Sequence, residues 1–225
     1  IFFTILQLKT KRGTMIVLEL FAGSRSIGKV AEAYGHTVIS VDIKQFGNID
    51  MVGDILEIPT QTFKDLKPDV IWASPPCTTF SVASIGTHWS KHKKPKTKEA
   101  LKGLDILRKT IKIIKECNPK YWYIENPRGM MRKMPEMLGL PRQTVWYCKY
   151  GDKRAKPTDI WSNNFYNLFN PDGWLPLPQC YNGNKHCHHE DAPRGSKTGT
   201  QALKNNHERS KIPEKLCASI IQSIK

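Results

Sequence analysis

No stretch of this sequence approaches the roughly 20 consecutive apolar residues needed to span a bilayer, which argues against a membrane protein. The opening Ile1-Phe2-Phe3-Thr4-Ile5-Leu6 puts its apolar residues ahead of its charges, the reverse of a secretory signal. The cysteines at 77, 117, 148, 180, 187 and 217 are irregularly spaced and include no CxxC pair. Without a secretory signal they are expected as reduced thiols of a cytoplasmic protein. There is no GxGxxG turn, so a dinucleotide is not favoured, and no internal repeat. Acidic residues are scarce: 20 Asp and Glu against 35 Lys and Arg leave a formal charge of +15. A balance this basic suits a polyanionic partner.

What is present fits one sizeable domain with a small appendage. The chain has 225 residues, 39% of them hydrophobic, enough for a real core. Met15 begins a strand pattern, and residues 1–14 read as a tag, an upstream read-through or an extra arm. Strands are expected at 16–21, 37–42, 69–74 and 121–125, with a short element near 51–54. Helices are expected at about 26–34, 60–66, 97–117 and 212–224. The long helix keeps Leu101, Leu104, Leu107, Ile111 and Ile114 at helical spacing. Strands and helices alternating in units of this length predict an α/β fold with a mostly parallel sheet. Residues 78–98 form a polar, basic loop, and from about 143 the chain turns aromatic and turn-rich.

Three motifs end strands. Leu18-Glu19-Leu20-Phe21-Ala22-Gly23 runs into a small-residue turn that opens a helix, the place where open α/β sheets bind ligands. Glu19 could meet the amino group of a methionine moiety, Asp42 ribose hydroxyls, and Asp54 an adenine amino group. Each acid alone could equally cap a helix; together they fit an adenosine cofactor with an amino-acid tail. Ser74-Pro75-Pro76-Cys77 fixes the backbone through two prolines and holds a thiol forward. That thiol is either a nucleophile, with its pKa lowered by cations or helix dipoles, or an inert buried group. Glu125-Asn126-Pro127 ends a further strand, so Cys77 and Glu125 can share one pocket. The apolar run before Glu125 favours an enclosed carboxyl that holds a proton, over a salt-bridged surface acid.

Phe-Ala-Gly, Asp42, Asp54, Pro-Pro-Cys-x-x-Phe-Ser and Glu-Asn, in this order, resemble the cytosine-C5 DNA methyltransferase family over roughly residues 15–130. Solitary, phage-type members look most similar. The resemblance implies a Rossmann-like class I methyltransferase fold with S-adenosylmethionine bound by Glu19, Phe21, Ala22, Gly23, Ser24, Asp42, Ile43, Asp54, Ile55 and Pro75. It implies that Cys77 attacks C6 of a flipped cytosine while Glu125 serves the ring nitrogen and exocyclic amine. Double-stranded DNA would be held by Ser81, Lys91, Lys93, Lys94, Lys96 and Lys156. Residues 15–158 would form the catalytic domain, 159–208 a small irregular target-recognition region, and 209–225 a closing helix.

The family's Gln-x-Arg-x-Arg is replaced here by a stretch in which Arg154 or Lys156 could contact the anion; Arg154 is placed with the catalytic residues. Its closing Gly-Asn-Ser-Val turn is replaced by Arg209-Ser210-Lys211-Ile212-Pro213. The short recognition region implies a short target, loose specificity or a helper subunit to an otherwise monomeric enzyme in a bacterial cell. Cys180, Cys187 and His189 could hold zinc, completed by Cys148, or belong to a polar loop touching phosphates. Trp161 and Trp174 read as core. Three rivals stand beside this reading. An amino-methyltransferase would carry an aromatic residue where Cys77 stands, an RNA enzyme could share the fold, and a silent nucleic-acid binder would not need Cys77 and Glu125.

Overall fold

Strand β1 (Ile16–Leu20) is apolar apart from Glu19, and its last four residues are buried. Continuous apolar strands of this kind are covered on both faces. In the computed structural model, which describes residues 13–190 and 206–225, β1 lies in the middle of a seven-stranded sheet. The other strands are β2 (Thr37–Asp42), β3 (Met51–Val52), β4 (Val70–Ala73), β5 (Tyr121–Pro127), β6 (Arg142–Trp146) and β7 (Pro157–Ser162). Their order is β3-β2-β1-β4-β5-β7-β6. The first five pair in parallel, and β7 is antiparallel to both of its neighbours. The sheet is therefore mostly parallel, as expected, with one reversed strand inserted near its edge.

Alternating side chains feed two core layers. Leu18, Leu20, Ile71, Ala73, Ile124 and Trp161 face helices α2 (Thr60–Asp65) and α4 (Lys98–Cys117). Val17, Val70, Trp72, Tyr123 and Ile160 face α1 (Ser26–Ala33) and α6 (Glu214–Ile221). A single turn, α3 (Ile85–His88), lies between α2 and α4, and α5 (Asn206–Ser210) precedes α6. Thr97 caps α4 by accepting from Ala100 N, and Asn118 in the left-handed conformation ends it. The buried stripe of α4 is Ala100, Leu104, Leu107, Thr110, Ile113 and Ile114, whereas Leu101 is half exposed. Leu104, Leu107 and Ile114 lie in the expected stripe and Ile111 packs against the core, while Ala100 rather than Leu101 is buried in the first turn.

Two boundaries differ from expectation. The sheet does not stop at residue 158: β7 carries it to Ser162, with Trp161 buried in the core. The segment 78–98 is more than an open loop. The Phe80 and Trp89 rings meet at a tilt, 5.5 Å apart, inside the core, and Trp89 Nε1 donates to Thr79 O at 2.7 Å. Residues 91–94 form its longest run of exposed positions.

Residues 163–190 contain isolated bridges only. Trp174 stacks on Phe165 and donates to Ser219 on α6, so this stretch rests on the α1–α6 side of the sheet. The expected N-terminal extension lies outside the described residues as far as residue 12, and so do residues 191–205 of the expected recognition region. Among the described residues no helix is long and apolar enough to cross a membrane.

Candidate active site

The strand order reverses at β1, which has β2 on one side and β4 on the other. Open α/β sheets place ligand sites at such switch points, beyond the carboxyl ends of the strands. A cavity of about 430 Å³ opens there. Its walls are Glu19 and Phe21–Ser24 after β1, Ser74–Thr78 after β4, Glu125 and Arg128 from β5 onward, and Lys156 just before β7. Arg209, Ser210 and Ile212 close one side, so the segment that replaces the family's closing turn lines the pocket.

The floor under Glu19 depends on a glycine. Glu19 is 2% exposed, and a Cβ at Gly28 would lie 2.4 Å from its Oε2. Burial pushes the carboxyl from 4.5 up to about 7, and the backbone amides of Gly28 and Ile27 offset part of this. Of these, the Ile27 contact to Oε1, 3.2 Å, has hydrogen-bond geometry, while Oε2 is buried with no partner among the described residues. A buried carboxylate oxygen left this way suits a cationic ligand group. The loop above it is bent through left-handed backbone at Phe21 (φ 59°), Gly23 and Arg25 (φ 54°). For Phe and Arg this conformation is uncommon, and such strain concentrates at ligand sites.

Asp42 Oδ2 accepts from Gly23 N at 2.9 Å and Oδ1 from Lys44 N, which ties the end of β2 to that loop. Asp54 accepts from Leu56 N and pairs with Lys102 at 2.9 Å; the Leu56 amide and then Lys102 hold it below the usual carboxylate range. Ile43 is exposed and Ile55 is in the core. The sequence-predicted cofactor residues therefore divide. Glu19, Phe21, Ala22, Gly23, Ser24 and Pro75 line the cavity; Asp42, Ile43, Asp54 and Ile55 do not.

Cys77 is solvent-accessible yet recessed into the cavity wall. Asn126 holds its turn: Asn126 Nδ2 donates to Pro75 O at 2.8 Å within the core. After the thiol, the Phe80 and Ser81 amides donate back to Cys77 O, curling the chain away. The surrounding protein pushes the thiol up, with Lys156 opposing and Glu125 reinforcing. Of the two readings the sequence leaves open for this thiol, a lowered pKa is not the direction found here. The nearby cation is real, but desolvation and a neighbouring carboxyl outweigh it.

Glu125 is 6% exposed and its carboxyl is raised by burial, against Lys156 and a hydrogen bond from Tyr147. Tyr147 donates to Glu125 Oε1 at 3.1 Å. Lys156, also buried, donates to Arg209 O at 2.9 Å and lies 4.7 Å from the centre of the Tyr147 ring. Burial lowers its pKa, while Glu125 and Cys77 raise it. Cys77, Glu125 and Lys156 thus form one electrostatic group.

Arg154, expected beside them, is elsewhere. It pairs with Asp152 and donates to the carbonyls of Glu208, Arg209 and Lys211, bracing that segment without lining the cavity. Lys156, expected among the DNA contacts, is inside the cavity. Ser81 borders the cavity and contacts Ser84 Oγ; Lys91, Lys93, Lys94 and Lys96 are exposed on the neighbouring segment, with Lys96 donating to Gly86 O. Sequence reading missed Tyr147, which carries no motif of its own, and Arg209.

Residues 16–138 match the family model described as C-5 cytosine-specific DNA methylase. A protein of Frog virus 3 (isolate Goorha), named "Probable DNA (cytosine-5)-methyltransferase", is 36% identical over 158 residues, which is 66% of this chain and 71% of that protein. An Entamoeba histolytica methyltransferase superposes with a TM-score of 0.50 at 15% identity, over 75% of this chain and 57% of its own. A prophage-encoded E. coli protein described as a DNA modification methyltransferase also gives 0.50, at 16% identity, over 75% and 53%. The chain thus spans little more than half the length of these two solved structures, and the likeness to them is one of fold.

Proposed function

The chain belongs to the C-5 cytosine-specific DNA methylase family, and we propose that it methylates C5 of cytosine in DNA with S-adenosylmethionine as the donor. The observation that carries this reading is the convergence of Cys77, Glu125 and Lys156 in a cavity also lined by Glu19, whose Oε2 has no partner among the described residues.

The residues present fit the donor's amino-acid end: an ammonium would satisfy Glu19 Oε2, and the strained Phe21–Ser24 loop would wrap it. When bound, this group supplies an electrophilic methyl on a sulfonium. Asp42 and Asp54 would meet the adenosine half only along the rim outside the cavity, and Asp54 would first release Lys102.

Cytosine C5 is a poor nucleophile, and covalent addition solves this. The Cys77 proton is lost to solvent and Sγ bonds to C6. Glu125 gives its proton to N3, and the ring's electron pair moves to C5. Once C5 has taken the methyl, a base removes the C5 proton. That electron pair re-forms the C5–C6 double bond, expels Cys77 and returns the N3 proton to Glu125. Burial suits Glu125 to this, because it favours the protonated carboxyl that a ring nitrogen needs. Lys156 balances the thiolate and then the carboxylate, the place for which the sequence suggested Arg154.

A base stacked in a duplex cannot reach a recessed thiol, so the target cytosine leaves the helix. Lys91, Lys93 and Lys94 at the exposed tip would then lie against phosphates. The test is transfer of labelled methyl to DNA, followed by nucleoside digestion. The label is expected in 5-methylcytosine, and to vanish in Cys77→Ser. Label in N4-methylcytosine, N6-methyladenine or only in RNA would overturn the assignment.

A further inference from the structure

The region after β7 has a second chemical centre. Cys148, Cys180, Cys187 and His189 come from three separate pieces of chain, yet their ligand atoms all lie within 4.8 Å of one another. We propose that these four residues bind one zinc ion, which fastens residues 163–190 to the turn after β6 whose Tyr147 donates to Glu125.

The donor set is three thiols and one imidazole, with no carboxylate among them. Soft ligands of this kind select zinc over magnesium or calcium. Tetrahedral zinc with bonds of about 2.0–2.3 Å places its ligand atoms roughly 3.5–3.8 Å apart. The Cys180 Sγ to His189 Nδ1 separation is 3.8 Å. Ordinary packing accounts less well for the arrangement. Cys148 and Cys180 do sit beside Trp146 and Ala155 as small apolar groups. That would not require an imidazole nitrogen to turn toward the same point, nor leave all these cysteines free of disulfides.

The surrounding chain is shaped for a metal loop. Between Cys180 and Cys187 it reverses through Tyr181–Asn184, with Gly183 in the left-handed region (φ 79°) and Asn184 N donating to Tyr181 O. Asn184 Nδ2 donates to Cys180 Sγ at 3.5 Å, the kind of amide-to-sulfur contact that steadies a thiolate ligand. His189 is only 9% exposed, and Glu190 N is held by Lys153 O. With four protein ligands the site is closed and structural, leaving no position for substrate.

The region has a physical need for such a clip. Residues 163–190 form no helix or strand, and Leu168 and Phe169 are 90% and 94% exposed. A segment this short cannot build its own core, and metals commonly supply the missing stability. The anchor point matters too. Cys148 follows Tyr147, the residue that donates to Glu125. The ion would join the expected target-recognition region to the turn that supports the carboxyl of Glu125.

The test is metal analysis of the full chain, purified without a polyhistidine tag and dialysed free of loose metal. About one zinc per chain is expected, released when a mercurial blocks the thiols. Cys187→Ser and His189→Ala should lower zinc affinity at least about tenfold, while Cys117→Ser, outside the cluster, should retain the ion. Should the two ligand variants fail to fold, the wild-type chain exchanged with cobalt(II) still decides. Intense tetrahedral d–d bands with thiolate-to-cobalt charge transfer support the site. Zinc-free protein with no such bands, zinc retained undiminished in Cys187→Ser, or a disulfide joining two of these cysteines would overturn it.

Discussion

The Tyr147 hydroxyl donates to Glu125 Oε1 at 3.1 Å, in a place where both side chains are almost wholly buried. The bond favours the charged carboxylate, while burial disfavours it more. Glu125→Gln keeps the shape but has no proton to give. It is expected to bind S-adenosylmethionine normally and to turn over about 10²–10⁴ times more slowly. Tyr147→Phe should move the pH–rate limb of Glu125 upward, since the carboxylate loses its donor. Steady-state rates across pH, beside calorimetric binding of the donor, check both. An unchanged rate in Glu125→Gln removes its assigned role.

Glu19 links pH to stability. Its folded pKa, about 7, exceeds its ordinary 4.5, so the folded state holds a proton that the unfolded chain has lost. Stability is therefore full below about pH 4.5 and falls as pH rises through 7. The cost above pH 7 is on the order of 3 kcal/mol. Glu19→Gln is expected to flatten this fall and raise the melting temperature at pH 8, while weakening donor binding. Melting curves from pH 5 to 8, with and without the donor, test this. A mutant with the same pH slope as wild type would contradict it.

Gly28→Ala would place a methyl 2.4 Å from Glu19 Oε2 and 3.2 Å from Val38 Cγ1. The flexible carboxyl gives way first, so the expected result is weaker donor binding, by about tenfold or more, with DNA binding unaltered. Titration calorimetry reads the first quantity and gel shift the second.

Lys156 and Arg154 separate by experiment. Lys156→Met removes the cation that opposes the burial of Cys77. The thiol pKa then rises, and iodoacetamide labelling of Cys77 near pH 8 should slow about tenfold for each pH unit of that rise. Arg154→Met takes the guanidinium from Asp152 and removes its bonds to the carbonyls of Glu208, Arg209 and Lys211. It should cost roughly 2–4 kcal/mol of stability, seen in urea melts, with little effect on labelling at low temperature.

The tip lysines should act on DNA affinity alone. Replacing Lys91, Lys93 and Lys94 with Gln is expected to raise KM for DNA, leave kcat intact, and lower the salt dependence of binding by up to about three charges' worth. A fall in kcat with unchanged salt dependence would place the DNA elsewhere.

Much of this was legible in the sequence because strand-end motifs carry their own placement. An apolar run followed by Phe-Ala-Gly, Pro-Pro-Cys or Glu-Asn-Pro fixes both a strand and what projects from its tip, and Cys77 and Glu125 share a cavity as that logic requires. The acids after β2 and β3 were harder to place. Asp42 and Asp54 are satisfied by nearby amides and Lys102, a local competition that spacing does not reveal. Arg154 and Lys156 are two residues apart near the start of β7, so which one enters the cavity depends on how that strand joins the sheet. Because β7 is antiparallel to β5 and pairs between it and β6, the choice is set by long-range pairing. The side chains of Cys148, Cys180, Cys187 and His189 likewise meet only through the fold, from positions up to 41 residues apart.

The proposed reaction turns on a bond between Cys77 Sγ and C6 of a cytosine, and 5-fluorocytosine traps that bond because its fluorine cannot leave as a proton does. Duplex DNA carrying this base, incubated with the full chain and S-adenosylmethionine, should give a denaturation-resistant complex whose peptide map puts a methylated fluoropyrimidine on Cys77, and Cys77→Ser should give none. An adduct on another residue, or 5-methylcytosine formed on ordinary DNA by Cys77→Ser, would contradict it.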